Sequence, residues 1–405
     1  MISKSSRFLL RHVKCSKLFL NHSSNCLNSN FDKLHFLRKF CIKSNPSIPG
    51  RQVFVSSSNC IFENLALEDW MYSNLPLADN DYLLMWRSRP ALVIGRHQNP
   101  WMEANLKAAR TAGVDVARRA SGGGTVYHDT GNLNMSFLTA RSRYNRRANL
   151  ELVVSALRSC GDADLSINHK DDILLDSHFK LSGTASKLGR VQSYHHLTLL
   201  HSLDLELLPL LLETVATGVT SKATRSIPSQ VRNLVETLPQ VSMEDIVLSL
   251  SREFLACEGS SAPIFHTVDP TDETQFPGVA KHKQEFLNWS WIYGKTPKFS
   301  VTRNFTGHLF HGKTCQVTVS MVVEKGKVSQ FEIEEISQVM EGLVPLTVAF
   351  YTEHLTGEEL TGENLLKVKD KFLQFCDSAF VEKTSEVHRA ATWLSGLVHT
   401  CLKFV

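Results

Sequence analysis

The stretch RRASGGGTVYHDTGNLNMSF, residues 118–137, sets two arginines before three consecutive glycines and then runs on with strand-like alternation. Glycine weakens a strand, because it loses the most backbone entropy on folding and has no side chain to pack. A glycine run between two strands therefore calls for a local reason. Exposed backbone N–H groups of such a loop can form a nest for an anion, commonly a phosphate. Arg118 and Arg119 would then add charge-assisted hydrogen bonds. The segment is not a Walker loop, since no G-K-[ST] follows and the next element is a strand, and it contains no G-x-G-x-x-G. On composition alone, a glycine-rich hairpin turn with exposed arginines accounts for it as well as an anion nest does.

Short elements surround this stretch. Phe62, Leu65, Ala66 and Trp70 recur at helical spacing, and DYLLMWR and ALVIGR are apolar strands about the turn Ser88–Arg89–Pro90. WMEANLKAARTAG predicts one helix stopped at Gly113, and VDVARR a strand leading into the glycines. GTVYHD and NLNMSFL flank Asp129–Thr130–Gly131, which predicts a β-hairpin. A helix over 148–160, strands in DILLD, FKLSGTASKL and SYHHLTLLHSL, a Leu-rich segment and a helix near 243–257 follow. After the Pro-containing stretch 260–278 the pattern gives a helix near 282–291, a turn at YGKTP, strands within TCQVTVSMVVEKGKVSQFEIEE, and helices near 363–376 and 385–403. Sequential hairpins with packed helices indicate an α+β fold around a mixed sheet with flanking helices, plus a smaller C-terminal α/β domain. The expected division is 1–50 leader, 59–260 catalytic domain and 270–405 accessory domain.

At 405 residues the chain is long for a single core,. Its net charge of +4 is unevenly spread: residues 1–62 hold ten Lys or Arg against the single acid Asp32, so the remainder sums to −5. The acidic body offers no footprint for nucleic acid. No apolar run approaches the roughly 18 residues of a membrane span. The first 30 residues carry Lys4, Arg7, Arg11, Lys14 and Lys17, seven serines and no carboxylate. That is the pattern of a mitochondrial transit peptide, with removal expected between Arg38 and Arg51. The six cysteines beyond it (Cys60, Cys160, Cys257, Cys315, Cys376, Cys401) have no C-x-x-C spacing and fit free thiols in a reducing compartment,. Of the 17 histidines, His195 and His196 are adjacent on a predicted strand and so face opposite ways,. No metal site is expected.

Five collinear segments resemble the lipoate–protein ligase family: IGRHQNPW (94–101), RRASGGGTVYHDTGN (118–132), FKLSGTASKLGR…YHHLTLL (179–200), SKATRSIPSQVRNL (221–234) and WSWIYGKTPKF (289–299). The last two look like its mitochondrial lipoyltransferase branch. The resemblance runs from Asn59 to about Thr302. It implies a catalytic domain related to biotin ligases, with lipoyl-AMP (lipoyl-adenylate) as the activated donor ligand and no metal for the transfer step. It also implies lipoyl transfer, through an amide, to a lysine of the lipoyl domains of 2-oxoacid dehydrogenase E2 subunits. The donor would be the glycine cleavage H protein, in the mitochondrial matrix. Apart from the resemblance, a monomer is expected. The Gly122–Gly124 loop would let backbone pass close over the ligand.

The resemblance also assigns residues. Lys180 in FKLSGTAS matches the lysine that contacts the lipoyl carbonyl and phosphate, which fits the need for a fixed cation where charge develops. Lys187, by strand parity, is expected to be solvated on the opposite face. Tyr127 and Thr198 match ligand contacts. Lys170 matches a basic position, although the local sequence NHKDDILL leaves it open against Asp171 or Asp172. Ile227 and Ser229 align with a loop over the adenylate, where Ile227 replaces a polar residue and contributes backbone only. Arg96, Arg119, Ser121, Gly123 and Asn132 are further pocket candidates. The alternatives are an ATP-dependent lipoate–protein ligase and a non-catalytic acyl-adenylate-binding protein. A biotin ligase is disfavoured by YHDTGN and KLSGTAS. A cysteine-dependent octanoyltransferase is disfavoured because Cys160 is the only cysteine within 90–230,.

Overall fold

The computed structural model describes residues 50–214, 216–256, 264–309, 313–335, 340, 342–379 and 386–405. Residues 1–49, where a leader is expected, and Cys257 lie outside them. The chain starts on β1 (Gly50–Ser56) and α1 (Ile61–Asn74), followed by β2 (Asn80–Trp86) and β3 (Ala91–Ile94). Next come α2 (Pro100–Glu103), α3 (Leu106–Thr111), β4 (Asp115–Arg118), β5 (Val126–His128) and β6 (Asn132–Ala140). The helix α4 (Arg146–Cys160) precedes the short strands β7 (Leu165–Ile167), β8 (Ile173–Leu175) and β9 (Phe179–Lys180). Then follow β10 (Thr184–Leu188), β11 (Gln192–Leu200), α5 (Leu207–Leu212), β12 (Val219–Ser221), α6 (Met243–Leu255) and β13 (His266–Val268). Finally there are α7 (Val279–Leu287), α8 (Trp289–Ile292), β14 (Phe299–Leu309), β15 (Lys313–Glu324), β16 (Lys327–Glu335), α9 (Leu343–Leu355), α10 (Gly362–Ala379) and α11 (Glu386–Cys401).

Six strands make a mixed sheet in the order β10-β11-β6-β2-β1-β13. β1 runs parallel to β2 and β13, and the other pairs are antiparallel. All nine residues of β6 are buried, as expected for a strand covered on both faces,. On one face Leu83, Met85, Met135 and Phe137 pack with Leu150 and Val153 of α4 and Ile246 and Leu250 of α6. The N-terminus of α6 is fixed by a reciprocal Ser242–Asp245 capping box,. On the other face lies α1, whose Tyr72 meets Tyr194 edge-on at 5.6 Å. The alternation of β11 follows from this: His195 turns to α4 and bonds Asn149, while His196 turns to α1,.

Several expectations are corrected. The helix foreseen over 101–113 is two helices. Ala104 is extended, and Asn105 starts the second one by accepting Ala108 N–H at 3.0 Å,. The turn 129–131 is not a hairpin. β5 pairs with β3 in the three-stranded sheet β4-β3-β5, while β6 joins the large sheet, so the turn carries the chain from one sheet to the other. Asp129 causes this: one oxygen accepts Gly131 N–H at 2.7 Å and the other Asp204 N–H at 2.8 Å, pinning the turn to the chain beyond β11. A Cβ at Gly131 would stand 2.1 Å from Ser202 O. FKLSGTASKL, read as one strand, is split into β9 and β10. β14 and α9 had no counterpart in the sequence reading.

β12, β14, β15 and β16 form a second, antiparallel sheet. Its inner residues Val301, Val317 and Val319 pack with Phe372 and Leu394 of α10 and α11, in one apolar cluster that continues to Leu92, Ile94 and Trp101 beside the glycine loop.

Arg118 ties these parts together. It is fully buried, and its Nε donates to Ile292 O at 2.6 Å. Its Nη1 donates to the carbonyls of Gly95, Arg96 and Gln98 at 2.9–3.0 Å, and its Nη2 to Thr296 Oγ1 at 3.0 Å. It is thus neither an exposed turn arginine nor a free phosphate donor, and its role is structural. Removing the guanidinium strands several buried acceptors, each worth about 1–3 kcal/mol. Arg118→Met is expected to lower unfolding free energy by at least about 3 kcal/mol in urea denaturation; a loss below 1 kcal/mol would contradict this role.

Candidate active site

The glycine loop is organised around Arg119. This residue is 5 % exposed, and its Nη2 donates to Gly122 O at 2.7 Å and Gly124 O at 2.6 Å. Its Nη1 donates to Val93 O at 2.9 Å and its Nε to Ser121 Oγ at 3.0 Å. The loop thus turns two of its carbonyls inward onto a cation, so the guanidinium is spent on the loop itself. Burial lowers the pKa of Arg119 to about 10, which leaves it charged at neutral pH. Gly123 has φ +84°, and a Cβ there would stand 3.0 Å from Arg119 Nη2 and 3.2 Å from Ala185 Cβ. A Cβ at Gly95 would lie 2.1 Å from Gly123 O, whereas one at Gly122 would meet open space.

Beneath the loop runs a narrow cavity of about 90 Å³, walled by Val93, Arg119, His128, Ala185 and His196 among others. It meets a wider cleft of about 710 Å³ at Val126, Gly183 and Thr198, which wall both. The narrow part has buried polar groups that sequence reasoning did not anticipate. His196 Nδ1 is 2.8 Å from Glu68 Oε1, and its Nε2 is 2.7 Å from Ser121 Oγ. His128 has neither ring nitrogen bonded, and burial lowers its pKa to about 3, so it is neutral. The parity of β11 was the available signal for His196; nothing local marked Glu68. A slender channel opening into a broad cleft suits a ligand with a thin chain and a bulkier polar head.

The cleft is bounded by α5 on one side and residues 225–231 on the other. That segment is latched by Glu103, whose buried carboxylate stands 3.0 Å from Arg225 Nε and accepts Ser226 N–H and Gln98 Nε2–H at 2.9 Å. Ser226 Oγ in turn accepts Thr125 N–H at 2.9 Å. Tyr127, Thr198, Ile227 and Ser229 all wall the cleft. Ile227 is 72 % exposed. The Tyr127 hydroxyl is pushed up to about pKa 12 by burial and by Asp129 and Asp204, so it is a neutral donor.

Lys180 lies at the margin. Its backbone N–H donates to Gln230 O at 2.9 Å, next to the wall residue Val231. Its ammonium is held by Asp172 Oδ1 at 2.8 Å, and Asn168 Oδ1 accepts the Asp172 N–H at 3.0 Å. Lys170 is exposed and Asp171 pairs with Arg146 at 3.2 Å, so of the three candidates at 170–172 it is Asp172 that meets Lys180. The solvated Lys187 expected from parity is corrected: it pairs with Asp69, whose other oxygen is 3.1 Å from His282 Nδ1, and lies 4.2 Å from the Tyr72 ring centre. It fastens β10 to α1 and α7. Arg96 stacks over Trp291 at 4.9 Å, and Ser121, Gly123 and Asn132 are not among the residues that wall either cavity. Asn132 is fully buried with neither amide atom hydrogen-bonded.

Gly123→Ala is expected to cost about 1–2 kcal/mol for the left-handed backbone, plus the clash with Arg119. Gly122→Ala should be close to neutral. Thermal melts of both variants decide the matter, and equal melting temperatures would contradict the loop geometry.

Comparison with known proteins places this chain among acyltransferases. The chain matches the lipoyl protein ligase A/B catalytic domain over residues 60–255. It is 43% identical over 284 residues to the mitochondrial lipoyl amidotransferase of Homo sapiens, covering 70% of this chain and 75% of that protein. Its identity to the Mus musculus enzyme of the same name is 41% over the same length. The fold is shared with P. falciparum LipL1, crystallised with lipoate, at TM-score 0.52 and 23% identity, covering 86% of this chain and 100% of that one. The protein belongs to the lipoyl protein ligase A/B family.

Proposed function

We propose that this enzyme moves a lipoyl group from lipoyl-AMP, or from the lipoylated glycine cleavage H protein, to the lysine of lipoyl domains in 2-oxoacid dehydrogenase E2 subunits. One observation carries the reading: the narrow channel opens at Thr198 and Gly183 into the cleft walled by Tyr127, Ile227 and Ser229, and the Lys180 backbone is bonded beside the wall residue Val231. The channel takes the acyl chain and the cleft the adenylate. The acyl carbonyl then lies where the two meet.

A mixed anhydride already has a good leaving group. The step needs charge stabilisation on the carbonyl and phosphate oxygens, and Lys180 supplies it by exchanging Asp172 for the ligand. Exclusion of water by the segment 225–231, latched through Glu103, protects the anhydride from hydrolysis,.

Transfer to an apo lipoyl domain is expected from lipoyl-H protein and lipoyl-adenylate, with weak or no activity from lipoate plus ATP. Efficient turnover from ATP would move the enzyme to the ligase class. Lys180→Ala should reduce single-turnover transfer by roughly 10²-fold or more, as loss of an oxyanion donor does. Lys180→Arg should restore little, because a planar fork does not replace a compact ammonium. Lys187→Ala should lower the melting temperature and leave transfer nearly intact; equal losses of transfer in both alanine variants would refute the assignment.

The acid-free, basic N-terminus and the mitochondrial relatives support a matrix location,. Residues 1–50 fused to a fluorescent reporter should direct it to mitochondria, and a diffuse cytosolic signal would count against that.

A further inference from the structure

Amide formation makes a demand that a cation cannot meet. The acceptor lysine has a pKa of about 10.4 and arrives as an ammonium. Two protons must leave its nitrogen to give the amide, and the first must go before its lone pair can form the bond. A site that performs this at neutral pH gains from a proton acceptor within hydrogen-bond reach.

The carboxylates around the cleft differ in how they are committed. Asp129 uses both oxygens on the backbone N–H groups of Gly131 and Asp204. Glu103 is taken by Arg225, Ser226 and Gln98, and Asp176 by Arg232 at 2.7 Å. Asp171 is held by Arg146. Glu213 walls the cleft from the α5 side, whereas β9 lies against residues 230–232. Asp172 is different, because its cationic partner is Lys180 itself. Its side chain is 12 % exposed, and Asn168 braces it through Oδ1 to its backbone N–H at 3.0 Å and Nδ2 to its Oδ2 at 3.4 Å. When the Lys180 ammonium turns to the acyl and phosphate oxygens, it leaves behind a carboxylate that Asn168 holds in place.

We propose that Asp172 is the general base of the transfer step, an inference that rests on the acyl-transfer reading above. The incoming ammonium gives one proton to the Asp172 carboxylate, which frees the lone pair that forms the bond to the acyl carbon, and the carbon–oxygen bond to phosphate breaks with its electron pair leaving on AMP. The second proton stays on the newly bonded nitrogen, which is far more acidic than a free ammonium, and passes to water. Lys180 and Asp172 thus divide the work: one meets the charge that develops on oxygen, the other the proton that leaves nitrogen.

The test compares two nucleophiles on preformed lipoyl-adenylate, with the uncatalysed reaction subtracted. The lysine of an apo lipoyl domain must lose a proton before it can attack, whereas hydroxylamine is neutral at pH 7 and attacks without that first step. Asp172→Asn should reduce transfer to lysine by about 10²-fold or more, the lower end of general-base contributions, and change hydroxamate formation by a much smaller factor. Asp172→Glu, which keeps the carboxylate, should recover part of the lysine reaction, and a thermal melt reports whether each variant is folded. Equal loss with both nucleophiles would make Asp172 a mere holder of Lys180 and overturn the proposal, as would unchanged lysine transfer. Absence of enzyme-dependent hydroxamate in the wild type would refute the acyl-transfer reading itself.

Discussion

Two guanidinium groups, side by side in sequence and buried together, hold this site in shape. Arg118 and Arg119 leave the end of β4 in different directions, as successive residues of a strand do. Arg118 gathers the carbonyls of residues 95, 96, 98 and 292, and Arg119 those of 93, 122 and 124. Neither has a carboxylate partner among the described residues. Burying such cations is costly unless each donor finds an acceptor, and burial lowers both pKa values to about 10. Here backbone oxygens of irregular loops are the acceptors. The same bonds that satisfy the cations fix loops that have no ladder of their own.

That arrangement explains why the glycines matter. The loop must curl tightly enough for two of its carbonyls to reach one Nη2, and Gly123 makes the curl in left-handed backbone. The curled loop roofs the narrow cavity, and its far end, Thr125, receives the segment that borders the cleft. His196 of the channel wall is similarly committed, bonded to Glu68 on one side and Ser121 on the other. Channel and cleft are thus shaped by one connected set of hydrogen bonds.

How much of this could be read in advance depended on the range of the interaction. Periodicity gave α1, α4 and α6 and most strands of the large sheet, because their signal is local. Strand parity separated His195 from His196. The motif-bearing residues Tyr127, Thr198, Ile227 and Ser229 meet around one cleft although they are far apart in sequence. What could not be read was the identity of partners. A pair of arginines before glycines looks the same whether it faces phosphate or carbonyl oxygen. Lys187 looked solvated because Asp69 is 118 residues away. The 129–131 turn had hairpin chemistry, but Asp129 is also bonded to Asp204 beyond β11. The glycine and serine between β9 and β10 broke the strand count on which the lysine parity rested.

The contact between Gly124 and Ser226 has a consequence for how such a sequence can drift. A Cβ at 124 would stand 3.1 Å from Ser226 Oγ, the atom that takes Thr125 N–H and Gln98 Nε2–H. The two positions are 102 residues apart in the chain, yet neither can change size alone without moving the other. A lineage that enlarged residue 124 would have to shrink or reseat residue 226, and so shift the wall of the cleft. The roof of the channel and the border of the cleft are therefore inherited as one trait.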